Sequence, residues 1–483
     1  MGKFCPFSCI YAKKTVPLEP ILIQTNTIMK KSTLLMLALS CMAALFFSSC
    51  NNNQPDEPKD GEARYSILVY GHAGGHMDRI IEGVWERLKP QMTNKDVRIS
   101  FLYKYGKASQ DMEWDARYAQ PGALLDFELT NTTNLDSLRY TSTTTGWEDF
   151  ELYDPELLKI AINDMKKTMP AQNYILLIWG HGAAYDPVSD YPKELRDGRN
   201  KAPQGVLYDE WLPLDTTGNN VQAMSMYELS EAIASSDIPH LKAIFFHNCL
   251  LGNMETLDQI YEKADYLFSS MHLLVSDGTP VEALVKSLYA SKDFEKAGIA
   301  ALSMMESQWS SLYKEEGNLN GDFKFIKSSE FPVLDPVFAR LSKRLIELYP
   351  TRKEAIDRAL DNAYKPVDQM HFYDALDYAN KLAKETNDAE LKTIAADLKN
   401  AFDKIWVKRL TVNNRTSETR NPAEFTLSVY MTNKTEYEAK VGSFQYTLQQ
   451  AYEYSRFGKQ SRWGNWIHTN THTPQGNPYG AEM

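Results

Sequence analysis

Hydrophobic and polar positions along the chain fall into two alternating rhythms. Apolar runs of strand length, such as Arg64-Tyr65-Ser66-Ile67-Leu68-Val69-Tyr70, give way to stretches with apolar residues at helical spacing, such as Asp78 to Leu88. The pattern predicts further strands over 97–105, 124–129, 174–179, 241–247 and 266–274. It predicts helices over 155–169, 224–234 and 254–264, the first entered from Asp154 as N-cap with Pro155 at the first helical position. The runs Tyr174–Trp179 and Leu241–His247 are continuously apolar, as strands buried on both faces are. Strand, helix and strand repeated in this way specify an α/β fold, a mostly parallel sheet flanked by helices. Ligand sites in such sheets lie beyond the carboxyl ends of the strands.

From about Pro332 the pattern becomes helical, over 336–348, 353–364 and 389–407. It returns to a strand over 424–431 and closes on an aromatic stretch containing Trp463, Trp466 and Tyr479, whose rings read as packing groups. The expected organisation is an α/β domain over 64–300 with a helical C-terminal region and terminal strands, 301–483, packed on it. Within the first domain, Asp186 to Asn220 is long, polar and broken only by Gly205-Val206-Leu207-Tyr208-Asp209, which reads as a functional loop or a cleavable segment.

The N-terminal pattern is different. Met29-Lys30-Lys31 is a short basic region, Leu34 to Phe47 is an apolar stretch brief for a bilayer, and Phe47-Ser48-Ser49-Cys50 precedes a polar asparagine tract. This reads as a lipoprotein signal, residues 1–28 being an upstream segment and Cys50 the acylated residue at the start of a linker, 50–63. The alternative is an ordinary signal peptide or a membrane anchor. The lipoprotein reading places the protein outside the cytoplasm, held by lipid at the bacterial cell envelope, in the outer membrane.

Composition adds two exclusions. With 43% hydrophobic and 12% aromatic residues in 483, disorder along most of the length is ruled out. A net charge of -11, becoming -15 once Lys3, Lys13, Lys14, Lys30, Lys31 and Glu19 are removed with residues 1–49, argues against nucleic acid as partner. Of Cys5, Cys9, Cys41, Cys50 and Cys249, only the last two remain after such cleavage, which leaves Cys249 a lone thiol if Cys50 carries lipid. A buried, inert cysteine would look the same in composition.

Its surroundings argue for chemistry. One apolar strand runs into Gly180-His181-Gly182, where the glycines permit a tight turn and expose backbone N–H groups, as a base beside an oxyanion pocket requires. Another runs into His247-Asn248-Cys249-Leu250-Leu251-Gly252-Asn253-Met254-Glu255, placing a thiol at a strand-to-helix junction. There a helix N-terminus and a nearby imidazole would both favour thiolate. The outline is an activated nucleophile.

These pieces, with Leu229-Ala232-Ile233, Ala264-Asp265-Tyr266 and Leu427-Ser428-Val429-Tyr430, resemble the clostripain-type cysteine peptidases, which share a caspase-like fold with caspases, gingipains and legumain. The resemblance implies a His/Cys dyad, with His181 as base, Cys249 as nucleophile, and the backbone N–H groups of Gly182 and Cys249 as the oxyanion site. Relatives that cut after Arg or Lys carry Asp-Ala-Cys where this chain has His247-Asn248-Cys249, so a preference for basic residues is not expected. If the strand continues through Cys249, His247 points the same way as the thiol and lines the substrate site, with Asp277 as a replacement charge. His247 as the base, and a metal site from His72, His76 and Asp78, are weaker alternatives. No cofactor is implied, and the sequence does not address calcium. The expected partner is a peptide or protein substrate, and the expected state a monomer attached to membrane through its lipid. The competing reading is an inactive surface lipoprotein that binds peptides or host proteins.

Overall fold

Strands apolar on both sides need cover on both sides, and the structure supplies it. The computed structural model describes residues 57–72, 80, 83–84, 87–92, 96–104, 124–129, 152–182, 184–185, 224–275, 280–315, 319–367, 370–414, 424–440 and 447–474. In chain order the strands are β1 (Ala63–His72), β2 (Val97–Lys104), β3 (Leu124–Leu129), β4 (Ala171–Gly180), β5 (Leu241–His247), β6 (Ala264–Ser269), β7 (Gly321–Lys327), β8 (Phe372–Asp374), β9 (Trp406–Val412) and β10 (Ser428–Tyr430). One sheet runs β3-β2-β1-β4-β5-β6-β7-β9, and β10 pairs with β8 separately. Its centre, β2-β1-β4-β5-β6, is parallel, while β3, β7 and β9 are antiparallel additions at the edges. The α/β sheet flanked by helices is as the sequence pattern required.

Alternate residues of the central strands feed two cores. Leu68, Leu176 and Ile244 pack with α1 (Pro155–Thr168), α2 (Met226–Ala234) and α3 (Met254–Ile260). Ile67, Ile175 and Phe245 face the opposite way, toward α4 (Pro280–Ala290) and α5 (Phe294–Glu315). Caps fix where the helices start: Asp154 accepts from Glu156 N ahead of α1, and Ser225 with Glu228 forms a capping box on α2.

The C-terminal region adds α6 (Asp335–Asn362), α7 (Ala375–Thr386), α8 (Ala389–Ile405), α9 (Lys434–Glu438), α10 (Leu448–Tyr454), α11 (Arg456–Ser461) and α12 (Trp463–Thr469). The two helices expected over 336–348 and 353–364 meet within the α6 span at a kink, with non-helical φ/ψ at Arg352 two residues past Pro350, whose ring and missing N–H disturb the ladder. Trp463 and Trp466 are buried, and Trp463 Nε1 donates to Tyr430 O at 2.8 Å. Tyr479 lies outside the described residues.

Differences from the sequence pattern have local causes. β7 was not expected because Gly-Asp-Phe-Lys-Phe-Ile-Lys buries Asp322 and Lys324, polar residues that mask a strand. The helix expected to run to Val407 ends at Ile405, and Trp406 opens β9. The strand expected to reach Leu274 stops at Ser269, leaving 270–275 irregular, and only Ser428–Tyr430 of 424–431 is strand. Among the described residues no helix is long and apolar enough to cross a membrane.

Candidate active site

Parallel register brings three strand ends level. His72 pairs with Gly180 across β1 and β4, and Trp179 pairs with His247 across β4 and β5. The chain leaving β4 and β5 therefore emerges side by side at the carboxyl edge, with His181 directly after β4 and Cys249 second after β5. Gly180 has φ 149°, a conformation that side chains disfavour. A Cβ added at Gly182 would stand 2.5 Å from Cys249 O, 2.8 Å from Asn248 Cβ and 3.1 Å from Cys249 N. The His181 loop and the Cys249 turn touch backbone to backbone at that point, and glycine alone permits it.

Asn248 fastens the contact. Its Nδ2 donates to Gly180 O and His181 O, both at 3.0 Å. Just beyond each catalytic candidate a non-glycine residue adopts left-handed backbone, Ala184 with φ 66° and Leu250 with φ 64°. Such strain gathers at sites that the surrounding structure over-determines.

His181 and Cys249 are both half-buried, and the Cys249 thiol is free. Leu274 N donates to Cys249 Sγ at 3.2 Å. Burial pushes the thiol up from its ordinary value, with the Leu274 N–H opposing the shift. α3 begins at Met254 behind Asn253, whose side chain accepts from Thr256 N and closes that end, so the helix starts past the Leu250 turn.

His247 lies elsewhere than a continued strand would place it. β5 ends at His247, and the turn that follows sends the two side chains apart. Cys249 packs against the core of α1, α2 and α3, whereas His247 meets Trp179, a member of the opposite core, at 4.5 Å and 72° between rings. The His247 ring is buried without a hydrogen bond in good geometry. Burial pushes its pKa down to about 4, slightly opposed by the nearby Val275 backbone, so it is neutral at physiological pH. Asp277, Cys50, His76, Asp78 and the 186–220 segment lie outside the described residues, and of His72 only the backbone is described. Among the described residues no group of three or more His, Cys, Asp or Glu is placed to hold a metal ion.

The model of the clostripain family, peptidase family C11, matches residues 138–469. The chain belongs to the clostripain family. Clostripain-family chains are cysteine endopeptidases, and the match includes both His181 and Cys249. No protein of curated function matches this one by sequence. Solved structures share the caspase-like fold. A secreted C11 cysteine protease from Bacteroides thetaiotaomicron, held in complex with an irreversible peptide inhibitor, is 15% identical with TM-score 0.51, covering 83% of this chain and 99% of its own. An inactive zymogen C11 protease from Parabacteroides distasonis is 16% identical with TM-score 0.50, covering 84% and 99%.

The sequence pattern did not reveal three parts of this clostripain-family site. Asn248 carried a visible signal, an amide directly before the thiol, but nothing said which carbonyls it would reach. Leu274 acts through its backbone N–H, which any residue would supply. The strip from Ser270 to Leu274 read as strand, although it is the irregular segment beside the sulfur.

Proposed function

We propose that this clostripain-family peptidase hydrolyses peptide bonds with a His181/Cys249 dyad. The observation that carries the reading is the backbone contact of Gly182 with Cys249 at the carboxyl edge, which packs the imidazole-bearing loop against the backbone of the nucleophile turn. In the reaction, Cys249 loses its proton to His181 and attacks the scissile carbonyl. The developing oxyanion is held by the N–H groups of Gly182 and Cys249, whose backbones adjoin. Protonated His181 donates to the leaving amine, and water activated by the same imidazole releases the acyl-enzyme.

Specificity follows from what stands two residues before the nucleophile. A neutral, buried His247 offers no counter-charge to an Arg or Lys side chain, so cleavage after uncharged residues is the reading this chain supports. Asp277 as a replacement charge is the competing reading, under which cleavage after Arg or Lys would be retained. The Met29–Phe47 pattern and Cys50 support export with a lipid anchor at the cell envelope, in keeping with a structural neighbour described as secreted. The 186–220 segment, with Lys193, Arg196, Arg199 and Lys201, is the place for any activating cleavage.

The test is a peptide-library cleavage profile beside a Cys249→Ala control. Cys249→Ala is expected to lose all peptidase activity, and the parent to cut after uncharged P1 residues. Full activity in Cys249→Ala would overturn the dyad, and a parent profile dominated by Arg or Lys would overturn the specificity.

A further inference from the structure

The strip from Ser270 to Leu274 is fastened on two sides. Toward the site, His272 O accepts from Leu250 N at 3.1 Å, Ser270 O accepts from Gly252 N at 2.6 Å, and Leu274 N donates to Cys249 Sγ at 3.2 Å. Toward the interior, one carboxylate oxygen of Asp322 on β7 accepts three donors: Ser270 Oγ at 2.9 Å, Met271 N at 3.2 Å and His272 Nδ1 at 2.6 Å. The other oxygen meets the Lys324 ammonium. His272 Nε2 lies 2.7 Å from Tyr364 OH, which accepts from Asn320 Nδ2 at 3.2 Å. A neutral imidazole donating from Nδ1 and accepting the Tyr364 O–H satisfies this set. Phe425 covers it, edge-on to His272 at 4.6 Å and tilted on Tyr364 at 5.1 Å.

Asp322 is 1% exposed, His272 2% and Lys324 1%. Burying a carboxylate, an ammonium and an imidazole is costly, and an apolar set of the same volume would stabilise a strand at least as well. The other charges bearing on Lys324 are Asp374, at the end of β8, and Arg409 on β9. Burial pushes Lys324 down and Asp374 up, as expected where neither charge is solvated. A carboxylate oxygen taking directional hydrogen bonds from three groups of the strip does what apolar packing does not, which is to fix the strip in one register.

We propose that Asp322, with His272 and Tyr364, is a positioning unit for the nucleophile: by clamping the Ser270–Leu274 strip it holds the Leu274 N–H on the Cys249 sulfur and sets the turn at Leu250. The proposal rests on reading Cys249 as the nucleophile. None of the three residues touches substrate. Their effect passes through the strip to the thiol, and loosening it withdraws the hydrogen bond that opposes the effect of burial on the sulfur.

The experiment is the rate of Cys249 alkylation by iodoacetamide as a function of pH, on the intact chain with Cys50 lipidated or replaced by serine. It is run beside steady-state kinetics and thermal unfolding for the parent, Asp322→Asn and Tyr364→Phe. Asn at position 322 turns an amide toward donors and is expected to raise the apparent thiol pKa, lower alkylation near neutral pH by about tenfold, and lower kcat with KM nearly unchanged. Tyr364→Phe keeps the ring against Phe425 and removes only the hydroxyl, so a smaller shift in the same direction is expected in a folded protein. If Asp322→Asn fails to fold, Tyr364→Phe decides. Variants that lose thermal stability while their alkylation profile and kcat superimpose on the parent would overturn the proposal and leave the network structural. Failure of the dyad reading is separately visible, as activity surviving in Cys249→Ala.

Discussion

Asn248 stands where basic-specific relatives carry alanine, and here its amide joins the two loops that bear the candidate catalytic side chains. Each hydrogen bond is worth about 1 kcal/mol to stability, but the geometric effect on a reaction needing near-contact of imidazole and sulfur is larger. Asn248→Ala is expected to lower kcat on the order of 10- to 100-fold with little change in KM, measured by steady-state kinetics with a peptide substrate. An unchanged kcat would show that Gly182 packing alone aligns the loops. At this scale His181 and Cys249 were legible because glycines and apolar strands frame them. The partners of Asn248 were not legible, since an amide reveals its acceptors only when distant backbone is brought to it. The charge of His247 was equally hidden. Burial holds its pKa near 4, so its contribution to stability is present above the ordinary value near 6.5 and is lost as pH falls from there toward 4.

At the scale of elements, α3 behind the nucleophile turn carries two buried acids. Glu255 accepts from Tyr430 N at 3.0 Å and Tyr452 OH at 2.8 Å, and burial raises its pKa to about 7. Asp258 is fully buried with no hydrogen bond, and its pKa is raised to about 8, chiefly by burial and then by Asp335, despite Arg456 nearby. In the unfolded chain Asp258 ionises near pH 4, while in the folded chain it stays protonated until about pH 8, so its penalty grows across that interval. Asp258→Asn is therefore expected to raise the melting temperature by on the order of 3 °C at pH 8 and by less at pH 5, read by calorimetry across pH. A gain independent of pH would contradict the assignment. Strands and helices with clean periodicity were legible in the sequence. β7 and the start of β9 were not, because buried Asp322 and Lys324 break one pattern and a preceding amphipathic helix runs into the other.

At the scale of the whole molecule, the nucleophile turn is braced by chain that follows much later. Ser428 N donates to Gly252 O at 3.0 Å, Asn253 bridges to Ser428, and Glu255 accepts from Tyr430 N. Phe457, Trp463 and Trp466 belong to the same core as Leu257 on α3 and Phe338 on α6. A chain ended before Glu424 is expected to expose that core and lose activity. The measurement is soluble yield and peptidase activity against the full chain, and an active, soluble truncation would show that the C-terminal region is dispensable.

The sequence by itself determined the alternation of strand and helix, the two-sided burial of the central strands and the two side chains that we propose react. Those follow from local periodicity and from glycines that only a close turn requires. Tertiary structure decided the level ending of β1, β4 and β5, the touching of Gly182 and Cys249, the neutrality of His247 and the clamp of Asp322 on the strip beneath the sulfur. Each of these depends on register, burial or a donor from remote chain, and a linear pattern carries none of them.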